Sequence, residues 1–298
     1  MKRLLDSVAS EILVMDRKEL LESIKLSEGR TILSENNVVV TQFQPMITNS
    51  EIARAFGADL ILLNCFDVFN PKIKAIDPTI EEPVKHLKKL CGRPIGLNLE
   101  PVDYKAEMGE DRDDIAKGRI CSEETVKKAN ELGFDIVSLT GNPSTGVSNN
   151  SIAEAIELTR ENFDGIIIAG KMHGSGVSEP IIDEATVRKF IKAGADVILL
   201  PAVGTFPGIT VDFIKDLVDI IHAEGALAMS AIGTSQEASS VETIRQIALL
   251  NKMTGVDIQH IGDHGYSGLA PYRNILELSI ALRGESLTLR MIGSSVLR

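Results

Sequence analysis

Short apolar runs alternate with amphipathic stretches through most of the chain. Val38-Val39-Val40-Thr41-Gln42-Phe43 is one run, and Asp59-Leu60-Ile61-Leu62-Leu63-Asn64 is the next. Between them, Asn49 to Phe56 has helical spacing and ends at Gly57, the residue type that a left-handed helix cap favours. The rhythm then repeats. Strands are predicted at 38–43, 59–64, 94–99, 135–140, 165–169, 196–201, 226–231 and 256–261. Helices are predicted near 49–57, 83–91, 121–133, 148–162, 183–194, 210–224, 239–254 and 271–283. Ser122, Ser148, Thr210 and Ser239-Ser240 each precede a helical pattern and supply the hydroxyl that an N-cap needs.

One junction recurs: Gly57-Ala58-Asp59, Gly133-Phe134-Asp135, Gly194-Ala195-Asp196 and Gly255-Val256-Asp257. Short helix-to-strand loops of this kind mark repeated βα units. Eight such units predict an α/β protein with a single (β/α)8 TIM barrel. The rival is an open doubly wound sheet. It is disfavoured because no strand leads into a G-x-G-x-x-G turn and the repeat continues evenly to the end. Before the barrel, Leu4, Leu5, Val8, Ile12, Leu20, Leu21 and Ile24 fit amphipathic helix in two pieces, broken near Met15-Asp16. This gives an N-terminal helical extension over residues 1–30 and a barrel over 31–298, the extension capping one end of the fold or making an oligomer contact.

Composition narrows the function. Hydrophobic residues make up 44% of 298, aromatics only 4%, and Trp is absent, a mix that suits buried parallel strands. The net charge of −11 disfavours nucleic acid and anionic membranes as partners. No run of about 18 apolar residues offers a membrane span, and Asp6 and Glu11 interrupt any apolar leader. Cys65, Cys91 and Cys121 are sparse and unclustered, as in a reducing compartment. The expectation is a cytoplasmic homo-oligomer acting in small-molecule metabolism.

In a barrel the chemistry sits at the C-terminal ends of the strands. There the chain places Gln42, Asn64, Asn98 and Glu100, Thr140 and Asn142, Lys171 and His173, Gly233-Thr234-Ser235, and His260 with Gly262-Asp263-His264-Gly265. Lys171 is framed by Gly170, Gly174 and Gly176, and so reads as a ligand residue, either a fixed charge for an anion or a Schiff-base amine. The alternative is a lysine that reaches water. His173 and His264 suit proton transfer at neutral pH. Glu100 and Asp263 would orient them or ligate a divalent ion such as Mg or Zn. Gln42, Asn64, Asn98, Gly233, Thr234, Ser235, Gly262 and Gly265 are expected to bind the ligand, with the loops after strands seven and eight holding phosphate. The charged excursion 101–120 after strand three is either a lid or a solvated loop.

Gly170-Lys171-Met172-His173-Gly174, Gly262-Asp263-His264-Gly265 and Ile280-Ala281-Leu282-Arg283-Gly284 together resemble a family of bacterial TIM-barrel proteins loosely labelled phosphonomutase-like or haloacid-dehalogenase-like. The resemblance covers nearly the whole chain and implies a barrel with a small-molecule site. Its labels meet the residues only in part. Cys65-Phe66-Asp67-Val68-Phe69 starts like a dehalogenase motif, but Asn70-Pro71 stands where Gly-Thr belongs. Thr140-Gly141-Asn142-Pro143 departs from the Lys-Lys-Cys-Gly-His loop of phosphoenolpyruvate mutases and isocitrate lyases. The leading expectation is an aldolase-like lyase or an isomerase acting on a small phosphorylated or carboxylated metabolite. The alternatives are a phosphohydrolase built on Asp67 and a non-catalytic ligand-binding or assembly protein on a barrel scaffold.

Overall fold

The computed structural model describes residues 1–40 and 42–298. Eight parallel strands pair in chain order and close on themselves: β1 (Thr31–Asn37), β2 (Leu60–Asn64), β3 (Ile95–Asn98), β4 (Ile136–Leu139), β5 (Ile166–Gly170), β6 (Val197–Pro201), β7 (Leu227–Ile232) and β8 (Ile258–Ile261). Two short helices precede them, α1 (Ala9–Ile12) and α2 (Arg17–Lys25). The outer ring is α3 (Asn49–Ala55), α4 (Pro83–Cys91), α5 (Glu123–Leu132), α6 (Asn149–Asn162), α7 (Glu184–Ala193), α8 (Val211–Ala223), α9 (Val241–Thr254) and α10 (Tyr272–Gly293). The last of these breaks at Gly284, whose φ of 80° and ψ of 163° are not helical. The fold is a TIM barrel. No helix among the described residues is long and apolar enough to cross a membrane.

The first strand is a correction. It was expected at 38–43 and lies at Thr31–Asn37; Val38 to Val40 follow it as irregular chain, and Thr41 lies outside the described residues. The reason is chemical. In Thr31-Ile32-Leu33-Ser34-Glu35-Asn36-Asn37 the residues nearest the barrel mouth are polar, so the strand is less apolar than the valine run after it.

The recurring Gly-x-Asp junction has a definite structural use. Each Asp donates its backbone N–H to the carbonyl of one residue in the preceding strand: Asp59 to Ile32, Asp135 to Ile95, Asp196 to Ile167 and Asp257 to Ala228. The carboxylate of each then accepts the N–H of that same residue, at 2.8, 2.8, 2.9 and 2.8 Å. A basic side chain covers each carboxylate: Arg283, Lys88, Arg17 with Arg160, and His222. These clamps join β1 to β2, β3 to β4, β5 to β6 and β7 to β8, so the repeating unit of this barrel is a pair of βα modules. Alternation of odd and even strands is what the layered interior of such a barrel imposes.

The inner face divides by height. At the N-terminal ends of the strands Leu33, Leu60, Ile136, Ile166, Val197, Leu227 and Ile258 form one apolar cluster with Leu4, Ile12, Leu20 and Ile24 from the preceding helices. The N-terminal segment thus plugs the bottom of the barrel. The larger cluster, which includes Ile32, Ile61, Leu97, Val137, Ile167 and Ile198, lies between the strands and the helix ring.

Candidate active site at the barrel mouth

Side chains alternate across a strand, so every second residue faces the interior. Following that face upward, apolar residues give way to Glu35 and Asn37 on β1, Asn64 on β2, Asn98 on β3 and Thr140 beyond β4. They line a cavity of about 340 Å³ at the C-terminal mouth, completed by Gly141, Asn142, Pro143, Met172, His173, Gly233, Thr234, Ser235, Glu237, Gly262, Asp263, His264 and Gly265. Met172 is part of its wall, and a Cβ on Gly233 would stand 1.9 Å from the Met172 sulfur, so a larger residue there would displace the Met172 side chain. Ser235 and His264 hold left-handed backbone, with φ of 74° and 54°.

Most of the expected ligand residues meet here: Asn64, Asn98, Gly233, Thr234, Ser235, Gly262, Gly265, His173, Asp263 and His264. Three expected residues do not. The Gln42 side chain turns back to the Val40 carbonyl at 3.4 Å, away from the cavity. Lys171 falls on the opposite parity from Met172 and sits, fully buried, between sheet and helices, with Nζ 2.5 Å from Glu179 Oε1. Glu179 in turn accepts the N–H of Asn149 at the start of α6. Lys171 is therefore a buried strut under a helix terminus and faces no ligand space.

Glu100 lies behind the wall. Its carboxylate takes Arg119 at 2.7 Å and both the backbone N–H and the side-chain amide of Asn142 at 2.8 Å. Asn142 and Asn64 exchange reciprocal amide hydrogen bonds of 2.9 and 3.1 Å, and Asn64 donates on to Asp263 at 3.0 Å. A continuous chain runs Arg119–Glu100–Asn142–Asn64–Asp263. The proposed divalent site on Glu100 and Asp263 does not fit this arrangement, because two asparagines separate the carboxylates. No group of three or more His, Cys, Asp or Glu side chains among the described residues is placed to hold a metal ion, Mg or Zn.

The electrostatics of the mouth are unusual. Burial pushes the Asp263 carboxyl up to about 7, with the Glu35 charge adding to the effect. Burial also raises Glu237. His173 is lowered, first by burial and then by Lys171 behind it, against the pull of Glu35 and Glu100. The N–H of Ser175 donates to His173 Nδ1 at 3.1 Å, so the neutral ring carries its proton on Nε2. Burial pushes the thiols of Cys65 and Cys121 up to about 11, so neither supplies a thiolate at neutral pH.

Glu35, Asn37 and Glu237 were missed by sequence reasoning. Glu35 and Asn37 were hidden by the misplaced first strand. Glu237 sits in a single turn after the Gly233-Thr234-Ser235 loop, where an acidic residue so close to a glycine-framed tip was the available signal. His260, expected at the tip of the last strand, lies within β8, faces inward and meets Glu35 at 3.1 Å. The excursion 101–120 is anchored to neighbouring loops: Met108 pairs with Val177, Gly109 bonds to Gly176, and Asp113 bonds to Ser144. Asp67 lies outside the mouth, where its carboxylate accepts the N–H groups of Phe69 and Asn70 and caps its own turn.

A family model described as a domain of unknown function, DUF7916, matches residues 5–298. The chain belongs to that family. No curated protein matches the sequence. Among solved structures, DUF7916's barrel here is similar to an archaeal fructose 1,6-bisphosphate aldolase, at 15% identity and a TM-score of 0.53, covering 88% of this chain and 98% of that one. A putative lyase/mutase from Burkholderia cenocepacia matches at 19% identity and a TM-score of 0.47, over 84% of this chain and 82% of the other. A 2,3-dimethylmalate lyase of the PEP mutase/isocitrate lyase superfamily matches at 11% identity and a TM-score of 0.49, over 86% and 81%. At these identities the aldolase likeness gives the fold.

Proposed function

We propose that this protein is an enzyme of lyase or isomerase type that moves a proton beside a carbonyl group of a small metabolite held in the barrel mouth. The observation that carries the reading is one cavity at the barrel mouth lined by both a carboxyl pushed up to about 7, Asp263, and a neutral histidine with a fixed tautomer, His173. Groups poised near the working pH are what general acid–base catalysis requires. Asp263 takes the proton from carbon. His173 Nε2–H donates to the carbonyl oxygen as it gains negative charge. Return of the proton to the neighbouring carbon gives an isomerase; in a lyase Asp263 takes the proton of a β-hydroxyl instead, the Cα–Cβ bond breaks, the hydroxyl carbon leaves as an aldehyde and His173 holds the resulting enolate. The Glu100–Asn142–Asn64 chain fixes the Asp263 carboxylate from one side, and the Gly265 N–H at 2.8 Å fixes it from the other.

Lys171 has no part in this reading, which sets aside Schiff-base chemistry. The name of the archaeal aldolase agrees with a lyase on this fold, but the reaction class rests on the site. The test is solvent exchange. The protein is incubated in D2O with aldoses, ketoses, oxo acids, hydroxy acids and their phosphate esters, and C–H signals are followed by proton NMR. Loss of one signal in one compound is expected, slowed by about 10²-fold or more in Asp263→Asn. No exchange in any member, or equal exchange in the variant, would sink the proposal.

A further inference from the structure

We infer that the mouth cavity is built for a neutral, polyhydroxylated ligand, a sugar or sugar alcohol without phosphate. The inference deepens the catalytic reading of the same site and rests on it for what happens to the ligand.

Three residues of the wall each have a buried side-chain atom with no hydrogen-bond partner among the described residues: Asn98 Oδ1, Thr140 Oγ1 and Glu237 Oε2. These residues are only 3%, 2% and 6% exposed. Buried polar atoms are nearly always paired. Their neighbours Asn64 and Asn142 are paired with each other, and Asn64 donates to Asp263. The three residues come from β3, from the loop after β4 and from the turn after β7, and all three line the same cavity. They mark where a ligand completes the hydrogen bonding.

Charge narrows the class. Glu35, Glu237 and Asp263 line the cavity, and no Lys or Arg does among the described residues. A phosphate or carboxylate would enter against three carboxyl groups and meet no fixed positive side chain, only amide, hydroxyl, imidazole and backbone N–H donors. An ammonium ion would satisfy the carboxyls, yet it only donates, and would leave the His173 Nε2–H without an acceptor. A hydroxyl both donates and accepts. It can donate to Asn98 Oδ1, exchange with Thr140 Oγ1 and accept from His173. The volume of about 340 Å³ lies at the small end of ligand pockets and suits a short polyol or monosaccharide.

The experiment pairs neutral four- to six-carbon sugars and alditols with the monophosphate ester and the amino analogue of each. Binding to the intact protein is measured by saturation-transfer NMR and calorimetry. At least one neutral member should bind about tenfold or more tighter than its ester and its amine. Thr140→Val, which removes only the hydroxyl, should weaken it about tenfold; Glu237→Gln reads the same wall should the first variant fail to fold. Tighter binding of an ester or an amine overturns the inference, as does absence of binding by every neutral member up to about 50 mM. Deuterium exchange separates the two readings. Tight binding of a neutral aldose or ketose without exchange sinks the catalytic reading and upholds this one, whereas exchange confined to phosphate esters does the reverse.

Discussion

Glu35 and His260 lie 225 positions apart in the chain and 3.1 Å apart in space, where the first and last strands close the barrel. Both side chains are buried, and His260 Nδ1 has no partner among the described residues, so Nε2 carries the donor that holds Glu35. Glu35 faces the cavity and His260 lies beneath it. The pair therefore ties closure of the fold to the chemistry of its mouth.

Replacing His260 with Phe should leave Glu35 buried without its donor and destabilise the protein by about 3–5 kcal/mol. His260→Gln keeps a donor amide and should lose roughly half as much. Urea unfolding of the two variants measures the difference. Equal losses would mean that packing, and not the Glu35 bond, is what His260 contributes.

Asp263 should make stability depend on pH. The unfolded chain releases this proton near the ordinary value of 3.8, and the folded chain holds it to about 7. The folded state therefore loses stability as pH rises from about 4 to about 7, and the full penalty is present above that. Asp263→Asn retains an acceptor for the Gly265 N–H and carries no charge. Its melting temperature should match the wild type near pH 4, exceed it by about 2 °C or more at pH 8, and do so while exchange activity is lost. A difference in melting temperature that stays constant across pH would contradict the raised carboxyl. In the wild type, turnover should rise with pH through about 7, because both ionised Asp263 and neutral His173 accumulate in that direction.

Lys171 is expected to matter for folding and not for chemistry. Lys171→Met leaves Glu179 without its buried partner beneath α6 and should cost about 3 kcal/mol. A double-mutant cycle with Glu179→Gln should return a coupling of about 1–3 kcal/mol. Sugar binding and solvent exchange by the folded fraction should be unchanged. A tenfold loss of exchange with the fold intact would return Lys171 to the active site.

Much of the site was legible, and the gaps have one cause. Asn64, Asn98, His173, Asp263 and the Gly233 and Gly262 loops could be found because turn-forming glycines and polar tips stand out after apolar runs. Glu100 was placed at the correct strand end, but its partner Arg119 comes from the excursion that follows, and no local pattern announces that contact.

The sequence by itself determined the barrel. Apolar runs, helix caps and four Gly-x-Asp junctions are local signals, and each acts within one βα pair, so they survive errors elsewhere in the chain. Only the tertiary structure decided which tip residues face the cavity. A strand shows opposite faces with a period of two, and a shift of one residue exchanges Lys171 for Met172 or hides Glu35 altogether. That choice is made by closure of eight strands around a plugged interior, where a polar residue near the mouth weakens the very hydrophobic pattern that would have located it.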